Sequence, residues 1–213
     1  MFDPDRLLPF TLAVLALVLT PGPNQAFIVA RSLHGGRRAG LTASLGINLS
    51  IFVHTFAAAI GLSALLAASA VGFTAIKLMG ALYLFYLGAR LITGRDSTAV
   101  TDVAGDGRRN AVSGRIAFGR AILTGILNPK VAIFFLAFLP QFVDRDAGSV
   151  FWQFIILGTI FSIVAILIDS MVAAAAGTIG GFLSQNSTVA RWRERITGIA
   201  FIGLGIRLAV QKR

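Results

Sequence analysis

The sequence contains no cysteine. Disulfides, thiolate metal sites and thiol chemistry are therefore excluded. Histidine occurs twice, as His34 and His54, too few for a His-rich metal cage. Charge is scarce as well. Only 13% of the residues are charged, and nine of them are acidic. No H-E-x-x-H, no G-x-S-x-G and no paired aspartates occur within the apolar stretches, which argues against a membrane-embedded enzyme. Neither a cofactor nor a resident metal is expected.

What remains is apolar. Of 213 residues, 56% are hydrophobic, and the mean hydropathy is +0.81. Stretches of about 20 such residues, enough to cross a hydrocarbon core of ~30 Å, recur along the chain. The composition describes an all-α integral membrane protein. The formal charge of +10 then has a simple source, since basic residues gather in cytoplasmic loops and raise the pI without any nucleic-acid partner. The start, "MFDPDRLLPF", carries two aspartates where a signal peptide has a positive charge, so Asp3 and Pro4 read as N-cap and first helical residue of a retained span.

Six spans are predicted, at 6–32, 40–68, 72–92, 117–140, 150–178 and 194–211. The polar stretch 93–114 divides them into a first three-helix repeat (1–92) and a second (117–213), joined by a linker loop (93–116). Arg31, Arg37 and Arg38 mark the first connection. Arg90, Arg95, Arg108, Arg109, Arg115 and Arg120 mark the third, and Arg191, Arg193 and Arg195 the fifth. The second connection is uncharged and the fourth reads "DRDAG". Basic loops face the cytoplasm, so both termini are expected outside. Lys212 and Arg213 at the outer end run against that pattern.

The halves repeat one another. "LGINLSI" at 45–51 matches "LGTIFSI" at 157–163, and "LGARL" at 87–91 matches "LGIRL" at 204–208. "TPGPN" at 20–24 faces "LNPK" at 127–130. With three spans in each half, the second repeat must be inserted upside down, the usual construction of a secondary transporter. Pro21 and Pro23 free the carbonyls of Leu17 and Leu19, and Pro129 frees that of Gly125. In hydrocarbon such carbonyls survive only against protein or a water-filled cavity, so breaks at matching places in spans 1 and 4 point to a central site. Thr20, Pro21, Gly22, Pro23 and Asn24 at the first break, with Asn128, Pro129 and Lys130 at the second, are the candidate substrate residues.

These stretches carry a resemblance. "LTPGPN", "ARSLHGGRRAGLTASLGI", "IKLMGALYLFYLG" and "GILNPKVAIFFLAFLPQFV" resemble the LysE/RhtB-type amino-acid exporters, with Asn24 standing where many relatives carry an acidic residue. The resemblance implies a bacterial inner-membrane exporter of amino acids or related metabolites, driven by the proton motive force.

Polar residues inside the spans complete the reading. Asp169 is the one acidic residue near the middle of a span, and its insertion as an anion costs about 2.5–3.5 kcal/mol. Neutral at rest or paired, it suits a proton carrier. Through the L-G-x-x-x-S-I match Asp169 corresponds to position 57, one turn from His54, which could relay a proton or simply bind a neighbouring helix. Lys130 lies too deep to snorkel easily. It could hold a substrate carboxylate, offset a half-helix C-terminus or pair with Asp169. Asn48, like Asn24 and Asn128, can orient a zwitterion or glue helices together. Phe134, Phe135 and Phe138 read as lipid or core contacts. The expectation is an amino-acid/proton antiporter in the lipid bilayer, with homo-oligomerisation left open. A divalent-cation carrier is the alternative, weakened by the single intramembrane carboxylate.

Overall fold

Prolines and glycines set the boundaries of every helix near the site. The structure, a computed structural model, describes residues 4–68, 114–144 and 146–178, with isolated positions 75, 78, 82, 85, 86, 89, 92, 93, 199, 202, 203 and 206. Helix α1, Pro4–Leu19, stops at the Pro21-Gly22-Pro23 run, and α2, Pro23–Ala68, begins at its second proline. Within α2, Gly36 takes φ 71° and ψ −178° and divides the helix into two arms. A side chain would strain that left-handed conformation; glycine adopts it freely. The expected span 6–32 is thus α1 plus the first arm, and the span expected at 40–68 is the second arm.

Helix α3, Gly114–Ile126, is followed by α4, Pro129–Ile133, which continues as a π turn, Phe134–Phe138, and a 3₁₀ turn, Leu139–Phe142. The two parts are bent by 45° at the break. Helix α5 runs unbroken over Val150–Thr178. Pro23–Ala64 and Val150–Gly177 are each long and apolar enough to cross a membrane, and the bent α3–α4 pair makes a third such element. The spans expected at 72–92 and 194–211, the 93–116 linker and the Asp3 N-cap lie essentially outside the described residues. Among the described residues all regular structure is helical.

Two faces run along the long helices. On the second arm of α2, Leu45, Leu49, Val53, Phe56 and Ile60 point outward at helical spacing, whereas Ile47, Ile51, Thr55, Ala58 and Leu62 are buried. Helix α5 does the same, with Ile163, Leu167 and Met171 outside and Phe154, Leu157, Phe161, Ala165 and Asp169 inside. An outward face this apolar suits hydrocarbon rather than water.

Lipid tails are as apolar as leucine, so the inner faces are held by close packing and interhelical hydrogen bonds. A Cβ on Gly46 would lie 2.7 Å from the Ala121 Cβ and 2.9 Å from the Phe118 carbonyl oxygen, so α2 and α3 touch nearly backbone to backbone there. Gly158 of α5 abuts Thr55 of α2 in the same way. Both glycines belong to the repeated L-G-x-x-x-S-I stretches. At the other end of the core, Phe10 of α1 packs 5.2 Å from Phe142, and Phe135 lies 5.2 Å from Phe161 of α5. Phe134, Phe135 and Phe138 are therefore core residues.

Candidate functional site

Without N–H groups, Pro21 and Pro23 leave the last turn of α1 short of donors. Thr20 tightens that turn, its N–H reaching the carbonyls of Ala16 and Leu17, both at 3.2 Å, and its hydroxyl reaching Ala16 at 2.6 Å. Gln25 donates its side-chain amide back to the Val18 carbonyl. A further donor comes from the other half of the chain. Lys130 Nζ donates to the Leu17 carbonyl at 3.0 Å and to the Thr20 carbonyl at 2.9 Å. An ammonium at this position also offsets the negative end of the α1 dipole.

Lys130 is placed there by the second break. Asn128 caps α4, its side-chain oxygen accepting from the Lys130 N–H at 3.0 Å, and Pro129 takes the first helical position, where no N–H is needed. The Gly125 carbonyl, deprived of its usual donor by Pro129, accepts from the Asn128 N–H at 3.3 Å and lies 3.2 Å from His54 Nε2 of α2. The two breaks are therefore adjacent, and each is completed by a side chain from elsewhere in the fold. Gly22 permits the approach, since a Cβ there would lie 3.2 Å from Lys130 Nζ.

A cavity opens beside the paired breaks. It is lined by Asn24 and Gln25 of α2, Lys130 of α4, and Phe161 and Asp169 of α5, among others. Its volume of about 20 Å³ holds roughly one water and not an amino acid. Asp169 is 4% exposed, and the Lys130 charge acts on its carboxyl group. One oxygen of that group, Oδ1, has no hydrogen-bond partner, and neither has Asn24 Oδ1. Buried acceptors left without donors are uncommon and call for an explanation.

The structure thus brings Asn24, Lys130 and Asp169 to one cavity, with Thr20 and Gly22 beside the ammonium but not lining the cavity, and Pro21, Pro23 and Pro129 setting the helix ends. Asn128 stays at the second break, where its Nδ2 lacks a partner. Asn48 stands apart. Its amide nitrogen donates to the Ser162 carbonyl at 2.8 Å and its oxygen accepts from the Ser162 hydroxyl at 2.6 Å, binding α2 to α5. His54 faces Gly125 and the ring of Phe135, 5.7 Å away, and no hydrogen bond or ion pair joins it to Asp169. Sequence reasoning missed Gln25 and Ser162. Gln25 directly follows the break, a signal that could have found it; Ser162 was visible only as part of the repeated motif.

Comparison with known proteins finds relatives that are membrane proteins. The chain is 30% identical over 200 residues to an uncharacterized membrane protein of Pseudomonas aeruginosa, covering 94% of this chain and 93% of the relative. It is 27% identical to a leucine efflux protein of Salmonella typhimurium, over 94% and 92% of the two chains. A membrane protein of Bacillus subtilis is 29% identical, over 94% and 97%. No solved structure matches. The LysE type translocator family matches residues 15–212. Such proteins move solutes and are not enzymes. With that match spanning nearly its whole length, the chain belongs to the family of LysE type translocators.

Proposed function

We propose that this membrane transporter exports a small amino acid, or a related amphoteric metabolite, across the bacterial inner membrane in exchange for protons. The observation that carries the reading is the cavity at the paired breaks, where a buried ammonium and a buried carboxyl group face each other beside the carbonyl end of α1. A zwitterion needs one partner of each sign. Family membership supports export of amino acids, and the leucine efflux relative makes leucine the first substrate to try.

Thr20 to Asn24 and Asn128 to Lys130 form the substrate region in this reading, Asp169 carries the proton, and His54 assists from the second break. Asn48 supports the region by fixing α2 to α5. Six spans arranged as two inverted repeats, 1–92 and 117–213, would rock against each other around the breaks. Both termini would then be periplasmic. A cavity of about 20 Å³ corresponds to a closed state that widens to admit substrate. A divalent-cation carrier fits less well, because the cavity already contains an ammonium and a single carboxylate. Counterflow in proteoliposomes with labelled leucine and a panel of other amino acids tests the reading. Exchange of at least one supports it; exchange of none overturns it.

A further inference from the structure

We infer that the Lys130 ammonium occupies, in the closed protein, the place that the ammonium of the exported amino acid takes during transport. The inference rests on the amino-acid reading above and adds what that reading does not contain, a recognition rule and an intramolecular competitor.

Three observations lead to it. First, the carbonyls of Leu17 and Thr20 converge on Lys130 Nζ at 3.0 and 2.9 Å, at the negative end of α1. Such a cradle accepts any primary ammonium, since the ε-ammonium of lysine and the α-ammonium of an amino acid present the same charge and the same three N–H donors. Second, the adjoining cavity offers further acceptors. Asp169, 4% exposed, lines it, and its Oδ1 has no hydrogen-bond donor. Lys130 alone leaves this acceptor unserved, whereas an ammonium entering through the cavity would serve it.

Third, there is no room for both ammonium groups. A cavity of about 20 Å³ admits one water beside the lysine, so substrate can enter only if something leaves. The lysine side chain is flexible, and Gly22 presents no Cβ next to Nζ to hold it in place. Displaced from the carbonyls, the same ammonium is left beside the incoming molecule, where it can pair with the carboxylate. One ammonium replaces another on the cradle, and the zwitterion's negative end neutralises the one displaced. Each ammonium has a partner both before and after the swap, which matters because an unpaired ion in this setting is strongly unfavourable.

The rule that follows is that a ligand must carry a primary ammonium to compete, and a carboxylate to retain the displaced lysine. Equilibrium binding of labelled leucine and of 3-methylbutylamine, its analogue without the carboxylate, to detergent-purified protein tests this. Lys130→Gln keeps N–H donors for the two carbonyls but removes the competing charge. We expect 3-methylbutylamine to bind about tenfold more tightly to K130Q, because a neutral amide yields the two carbonyls to an incoming ammonium more readily than a charged lysine does, and leucine to bind at least about tenfold more weakly. Opposite signs for the two ligands distinguish the swap from a merely structural lysine, whose loss would weaken both or neither. Equal or weaker amine binding by folded K130Q overturns the inference.

The unaltered protein supplies a second measurement, independent of whether K130Q folds. N-trimethylated leucine, which has both charges but no N–H donors, should fail to displace labelled leucine, and equal displacement by it overturns the inference. If leucine and the rest of the amino-acid panel neither bind nor exchange, the transport reading falls. If leucine exchanges but the amine behaves otherwise than stated, only the swap falls.

Discussion

His54 Nε2 lies 3.2 Å from the carbonyl oxygen of Gly125, 71 residues away in the chain. A carbonyl only accepts, so Nε2 carries a proton in this bond. The bond joins α2 to the end of α3 at the point where Pro129 removes a helical donor. Replacing His54 by Ala should lower stability by about 1 kcal/mol, the usual worth of such a bond, and Gln should recover part of it. Thermal melts of the purified variants in detergent measure this. If His54 also relays protons, H54Q should lose proton-driven accumulation while keeping counterflow.

Changing Pro21, Gly22 and Pro23 together to Ala should let α1 run on into α2. The Leu17 carbonyl would then find a helical donor, and Lys130 would lose its seat. We expect the variant to insert normally and melt at the same or a higher temperature, with transport abolished. Undiminished counterflow would reduce the break to a packing kink.

Asp169→Asn removes titration but keeps an acceptor oxygen facing the cavity. Lys130 retains the Leu17 and Thr20 carbonyls as partners, so the change should cost less than the ~3–5 kcal/mol typical of breaking an isolated buried pair. Proton-driven accumulation should collapse while leucine counterflow survives. Loss of both, with normal folding, would assign Asp169 to substrate binding rather than to the proton.

Gly46→Val forces side-chain atoms into the Ala121 Cβ and the Phe118 carbonyl oxygen, 2.7 and 2.9 Å from the Cβ position. Overpacking of this kind costs about 1–3 kcal/mol. Gly61→Ala and Gly119→Ala, where nothing lies within 4 Å, should leave the melting temperature nearly unchanged and serve as controls.

Because the chain has no cysteine, single introduced thiols report on sidedness cleanly. Arg38 and Asp146 are both exposed, at opposite connections. In intact cells an impermeant thiol reagent should label D146C and spare R38C. The reverse pattern would invert the topology.

Much of the local architecture was legible in the residues alone, because it depends on covalent chemistry. Proline lacks an N–H wherever it stands, so Pro21, Pro23 and Pro129 announce the two breaks and identify Leu17 and Gly125 as carbonyls in need of donors. Which face of α2 turns inward was not legible, because Leu45, Leu49 and Val53 outside and Ile47 and Ile51 inside are equally apolar. Which groups answer the freed carbonyls is a different kind of question. Lys130 could have met a substrate, Asp169 or a helix end with equal plausibility, and His54 was paired by the repeat with the neighbourhood of Asp169 rather than with Gly125. Partners more than 70 residues apart are selected by how α1, α2 and α4 cross. That depends on close approaches such as Gly46 against Phe118, whose energies are summed over many small contacts and leave no periodic trace in the chain. Asn48 shows the same division. Its polarity marked it as a candidate, and only the crossing of α2 with α5 turned both ends of its amide towards Ser162 instead of the cavity.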